Sequence, residues 1–363
     1  DRLTQRFVDR HAPLLAKRRR EGGELSCFID KTGDVVVEGA SIGQLTGLRF
    51  EPDVSAQTDQ SRVLLGAARR AIELDVERRV NEIAITADDA FSIGAGGAIC
   101  WNGAPVATLD VGESALNPQI SVLDNEFLDG PRRERVRSRL ATWMAKRVER
   151  RLGPLFRALS ADVDGSLRGI VYQLAESLGS MARADLKIRI DGLSAGEKKM
   201  LAKLGVRIGL HSVYFHALLN PSAVRMRSVL ATLYAPAPSK GAGLAKGEGR
   251  DLPRGNKPSR PADSTPRALW AMLGYSVVGD RAIRVDILEK FAAIVRKQAR
   301  AGAFPATADM LALAGCDVAA LVLVMRDLGY RVTETPEGPT YRRKPRRGRQ
   351  PNRGNGAIRG NGK

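Results

Sequence analysis

The last stretch of the chain is a run of cations. Arg342, Arg343, Lys344, Arg346, Arg347, Arg349, Arg353, Arg359 and Lys363 follow Tyr341 with no acidic residue among them. Guanidinium and ammonium groups placed in this way can track successive phosphates and release condensed counterions, which gives affinity for a nucleic-acid backbone without reading its sequence. A tail that merely aids solubility is the plainer alternative. Arg326 and Arg331 lead into this run, and Arg207 stands alone in an apolar segment upstream. The candidate nucleic-acid-binding residues are therefore Arg207, Arg326, Arg331, Arg342, Arg343, Lys344, Arg346, Arg347, Arg349 and Arg353.

Other residue types that could do chemistry lack the required spacing. Gly94-Ala95-Gly96-Gly97 fails the dinucleotide-loop pattern and has no helix after it, so it reads as a hairpin turn. The glycines and lysine of residues 241–246 fail the phosphate-loop pattern as well. Neither a nucleotide cradle nor a magnesium-binding acid for NTP hydrolysis is visible, so no ATPase motor is expected in this chain. His211 and His216, beside Tyr214 and Phe215, read as core or interface histidines, because no nucleophile or paired acid lies near them in sequence. Asp162 and Asp164 precede a helix start and read as capping residues. Cys27, Cys100 and Cys316 are far apart and each sits among apolar residues. They read as small buried hydrophobes in a reducing compartment, which favours a cytoplasmic location. No Cys or His pair has metal-ligand spacing. No catalytic, cofactor-binding or metal-ligating residues are assigned, and no cofactor is expected in this chain.

Composition agrees with a partner of negative charge. The 363 residues hold 58 Lys+Arg against 40 Asp+Glu, a net charge of +18. Residues 235–363 hold 24 of those cations and 11 of the acids, which places most of the excess in the C-terminal third. At 43% hydrophobic the chain can build two or three cores. No apolar run approaches the ~20 residues that span a bilayer, so no membrane partner is expected.

The elements that must position these cations follow from periodicity. Residues 1–20 read as a helix continuing from an upstream element. Residues 21–153 alternate strands with long amphipathic helices, and residues 91–109 echo residues 28–45. At an offset of 64, Gly33 pairs with Gly97, Val35 with Ile99, Val37 with Trp101 and Gly39 with Gly103. This predicts two tandem βββα units, with helices over 62–85 and 132–152. Residues 154–234 read as helical, with a capping box at Ser194 and Glu197 and a helix begun by Pro221. Residues 235–266, rich in Pro, Gly, Ser and Lys, form a flexible linker. Residues 267–344 run helix, helix–turn–helix, hairpin, the order of a winged helix. The stretch 318–328 is too apolar for a base-reading helix and should be buried. Residues 345–363 form a disordered basic tail. The fold class is α+β.

Several stretches resemble a known family. Leu204-Gly205-Val206-Arg207-Ile208-Gly209, with Tyr214-Phe215, Ala217-Leu218-Leu219 and Pro221, is similar to the segment after the motor in alphaproteobacterial helicases of the mitochondrial-degradosome type. These are Suppressor-of-Var, Ski-two-like enzymes of superfamily two. Thr4–Arg10, Trp101–Ala107, Leu167-Arg168-Gly169-Ile170 and parts of 268–331, including Gly274-Tyr275, look similar to the same proteins. His216 and Asn220 stand where that family commonly has proline and a basic residue. The resemblance implies the accessory, nucleic-acid-binding C-terminal region of an ATP-dependent RNA or DNA helicase. ATP and Mg²⁺ would belong only to a motor outside this chain. The implied partners are single-stranded RNA or DNA, helicase motor domains in cis or trans, and a ribonuclease. A free-standing winged-helix DNA-binding protein and a protein-interaction scaffold are the alternatives.

Overall fold

The computed structural model describes residues 26–53, 59–234 and 266–344. It is a mixed α and β protein whose sheets are small and antiparallel, as the α+β expectation requires. The chain divides into two compact units between Tyr275 and Ser276. The helix expected over 1–20, the tail at 345–363 and all but the last residue of the linker lie outside the described residues.

The first unit opens with strands β1 (Cys27–Ile29), β2 (Asp34–Val37), β3 (Ala40–Thr46) and β4 (Arg49–Pro52), paired in that order. Helix α1 (Asp59–Ile85) follows. A second sheet then forms from β5 (Phe91–Ile93), β6 (Ala98–Trp101), β7 (Ala104–Ser114) and β8 (Asn117–Val122), again in chain order, followed by α2 (Gly130–Leu159). The registers correspond position by position. Cys27 faces Val37 and Phe91 faces Trp101, and the pairing shifts between Val35 and Val36 and again between Ile99 and Cys100. Both central hairpins turn on two residues of positive φ, Glu38-Gly39 and Asn102-Gly103, the geometry that matches the strands' right-handed twist. Each sheet has four strands rather than the expected three. The stretch 44–50 breaks at Gly47, whose φ of 60° folds it into β3 and β4.

Alternation and helical period explain the core. Val35, Val37, Ile42 and Leu45 point inward from the first sheet, and Ala68, Ile72, Val76, Val80 and Ile83 form the buried stripe of α1, which packs on β1, β2 and β3. Arg79 pins helix to sheet. It pairs with Asp75 at 2.7 Å and donates to the carbonyls of Leu45 and Gly47. Helix α2 buries Val136, Leu140, Trp143, Met144, Val148, Leu152, Leu155 and Ala158. It packs on α1 and β8, and then, past a distortion at Leu152 next to Pro154, continues beyond residue 153, where the sequence suggests a boundary.

The rest of the unit comprises α3 (Gly165–Glu176), β9 (Ser180–Ala182), α4 (Lys187–Asp191), α5 (Ala195–Lys203), β10 (Val206–Ile208), β11 (Ser212–Phe215), α6 (Pro221–Tyr234) and α7 (Arg267–Met272). The expectation of an all-helical 154–234 is corrected by the three-stranded sheet β10-β11-β9. The β-branched and aromatic run Val213-Tyr214-Phe215 suits its central strand, which is buried throughout. The Ser194–Glu197 capping box is formed. Asp164 occupies the N-cap of α3 but its side chain makes no capping bond. His211 is only partly buried and His216 is exposed, so of the core or interface reading the core half is corrected. The three cysteines are free and half-buried rather than buried. Helix α7, grouped by sequence with the C-terminal domain, belongs to the first unit, where Leu269 and Trp270 are buried.

The second unit contains β12 (Tyr275–Val278, its first residue counted in the first unit), β13 (Arg281–Arg284), α8 (Val285–Ala299), β14 (Phe304–Pro305), α9 (Ala308–Ala314), α10 (Val318–Asp327), β15 (Tyr330–Thr335) and β16 (Gly338–Arg343). Its core gathers Ile283, Leu288, Phe291, Val295, Phe304, Met310, Leu321, Val324, Met325 and Tyr341. Thr307 caps α9, and Gly315, at φ 59°, ends it in the left-handed conformation.

Candidate nucleic-acid interface

The basic surface of the second unit is set by α10 and the hairpin after it. Asp317 caps α10, accepting from the Ala320 amide at 2.8 Å. The helix buries Ala320, Leu321, Val324 and Met325 but leaves Val318, Ala319 and Leu323 exposed, so the expected burial of 318–328 holds for one face only, and Arg326 is exposed in its last turn. Gly329 (φ 87°) turns the chain into the hairpin. Strand alternation then sorts the side chains. Tyr341 goes into the core, while Arg331 and Arg342 go outward, directly opposite one another. Tyr330 faces Arg343 across the ladder. Burial pushes the Tyr330 phenol up from its ordinary value, against the pull of Arg343 and Arg296.

Arg326, Arg331, Arg342, Arg343 and Lys344 thus all lie exposed within one unit. Arg207 does not join them. It is exposed on edge strand β10 of the first unit, opposite Tyr214. Arg346, Arg347, Arg349 and Arg353 lie outside the described residues. The sequence reading missed Arg296, an exposed residue of α8 that packing brings within electrostatic reach of Tyr330. Nothing local marks it, because its nearness to the hairpin is purely tertiary.

The surface offers charge-assisted donors. Among the described residues no group of three or more His, Cys, Asp or Glu is placed to hold a metal ion. No single helix among them is long and apolar enough to cross a membrane. No family model, curated protein or solved structure matches the chain.

Proposed function

We propose that this protein binds single-stranded nucleic acid through the hairpin surface of its second unit, as the accessory region of an ATP-dependent helicase that lacks the motor in this chain. The observation that carries the binding half is Arg331 opposite Arg342 on the outward face of β15 and β16. Like charges at directly opposing positions, ~5 Å apart, disfavour the hairpin and serve no packing role. A polyanion lying across that face would relieve the repulsion. Arg343 and Lys344 extend the same charge toward the acid-free run that contains Arg346, Arg347, Arg349 and Arg353. The helicase half is supported by the resemblance of residues 204–221, 101–107 and 268–331 to the post-motor region of the degradosome-type enzymes.

We read the second unit as a winged helix. Its helix order and its sheet order β14-β16-β15, with a short strand between the first two helices and a hairpin after the third, support this. In that reading the wing, not the third helix, meets the ligand. The outer face of α10 presents Val318, Ala319 and Leu323, which offer no hydrogen bonds to base edges, and its one cation, Arg326, stands in the last turn beside the hairpin. Contact with the backbone and poor sequence specificity follow. We read the two four-stranded sheets with their helices as copies of one unit, on the strength of the shared registers and turns.

The test is salt-dependent binding of a fluorescent single-stranded oligonucleotide. Replacing Arg331, Arg342 and Arg343 by glutamine should lower the slope of log K against log salt by about 2, at ~0.7 per phosphate contact on single strands. An unchanged slope in that variant overturns the assignment.

A further inference from the structure

Helix α2 carries ten cations and two acids, Glu134 and Glu149. Four of its arginines are committed to ion pairs: Arg132 with Glu77, Arg133 with Asp124, Arg137 with Glu134 and Arg139 with Asp88. Beside the last of these lies an open groove of about 410 Å³, lined by Asp88, Arg135, Ser138, Arg139, Thr142 and Lys146. The helical members sit three or four positions apart, so they form one stripe along the helix, which Arg150 continues.

The groove is built rather than incidental. Arg139 bonds the Asp88 carboxylate at 2.8 Å and the Thr86 carbonyl at 2.7 Å, and its guanidinium lies 4.9 Å from the centre of the Phe91 ring. Trp143 donates to the Asp88 carbonyl at 3.0 Å. These contacts fix the wall and neutralise its acid: Arg139, with Lys146 and Arg150 nearby, holds the Asp88 carboxyl below its usual range. Arg135 is steadied by Asn81 at 2.6 Å yet remains exposed. Among the described residues Arg135, Lys146 and Arg150 form no ion pair. Glu149 is the one acid of the helix beside them, so the stripe keeps a positive balance.

We propose that this stripe is a second binding surface for the phosphodiester backbone of a single-stranded nucleic acid, contacted by Arg135, Lys146 and Arg150. At 1.5 Å per residue, Arg135 to Lys146 spans ~16 Å and Arg150 lies ~6 Å further. That row is matched to the repeated charges of a polymer rather than to one small anion. This inference extends the nucleic-acid reading to the first unit and does not depend on the hairpin being correct.

The experiment uses the full chain and a fluorescent single-stranded 30-mer, titrated at several salt concentrations. The variants are R135Q/K146Q/R150Q, the hairpin triple variant, both together, and the charge-keeping R135K/K146R/R150K. The glutamine variant should weaken binding at least tenfold at low salt and lower the salt slope by about 2, in the wild-type and hairpin-variant backgrounds alike. The charge-keeping variant should bind as wild type. Loss in the α2 variant with none in the hairpin variant would leave this surface standing and remove the hairpin assignment. Wild-type binding by the α2 variant in both backgrounds overturns the proposal. So does equal loss in the charge-keeping variant, which would mark a structural effect. Loss of binding to a polyglutamate peptide but not to the oligonucleotide also overturns it, by assigning the groove to acidic protein instead.

Discussion

Arg227 of α6 is fully buried, and its guanidinium makes one hydrogen bond, Nη1 to the Leu218 carbonyl at 3.2 Å. Among the described residues its Nε and Nη2 have no partner and no carboxylate pairs with it. Gly274, at φ 85°, leaves the space for it, since a Cβ there would stand 3.2 Å from Nη1. Burial pushes its pKa down from 12.5 to about 9, so it remains charged at pH 7. That fall corresponds to about 5 kcal/mol of lost solvation at ~1.36 kcal/mol per pH unit. Replacing Arg227 with Met removes the buried charge. The change forfeits one charge-assisted hydrogen bond, about 1.5–3 kcal/mol, and leaves a small void worth about 1 kcal/mol. The balance favours Arg227→Met by about 1–2 kcal/mol, as for other buried charges replaced by apolar side chains. In a unit of this size that is a rise in Tm of about 3–6 °C. Urea denaturation and calorimetry of the full chain at pH 7 measure it. The sign with pH is a second check. Between about 9 and 12.5 the unfolded chain keeps a proton that the folded chain has released, so the wild type gains stability as pH rises there and the Met variant does not. Destabilisation of Arg227→Met by more than 1 kcal/mol at pH 7 would refute the reasoning, because it would mean the folded protein supplies the cation with an anion.

In the second unit, the Tyr341 hydroxyl is buried without a partner among the described residues, and its pKa is pushed from 10 up to about 12, chiefly by burial. The stability it contributes below pH 10 is lost as pH rises through about 12. Tyr341→Phe should abolish that alkaline loss and change stability at pH 7 by less than ~1 kcal/mol, read by guanidinium denaturation at pH 7 and 11; a cost above ~2 kcal/mol at pH 7 would show the hydroxyl to be bonded. In the first unit, Ser194 accepts from the Glu197 amide, and Glu197 accepts from the Ser194 amide and the Ser166 hydroxyl. Ser194→Ala should cost about 1 kcal/mol in chemical denaturation and Ser194→Gly a few tenths; equal losses would show that the cap itself contributes little.

What was legible in the sequence was local. The Ser194–Glu197 box, Pro221 at the start of α6, the break at Gly315 and the hairpin over 330–343 all follow from short-range rules, and each is present. The repeat was visible because Gly39 and Gly103 recur at one offset, and in the fold each completes a hairpin turn with two positive φ angles. The fourth strand of the first sheet was not, because Gly47-Leu48 carries a weak turn signal inside an apolar run, and that of the second was hidden by the Ala115-Leu116 turn, which has neither Gly nor Pro. Strands β10 and β11 were lost among helices because three or four residues give too little periodicity to separate the two forms. His216 looked buried from its neighbours, yet Tyr214 and Phe215 take the inward places and leave the imidazole outside. For the site, charge was assigned by thirds of the chain, which hid α2. Its cations average out against the seven acids of residues 86–129, a stretch without Lys or Arg, and only the fold shows that Asp88 is held by Arg139.

Helix α2 also acts as a common spine. It packs on α1 and β8, and also against α3 and α6. Leu155 and Ala158, beyond the distortion at Leu152, are as inaccessible as Val136 and Leu140 before it. A chain cut near residue 153 would strip one half of its backing and leave the other with a bare apolar seam. The strand-rich and helix-rich halves of the first unit should therefore melt in a single step, however sharply their compositions differ.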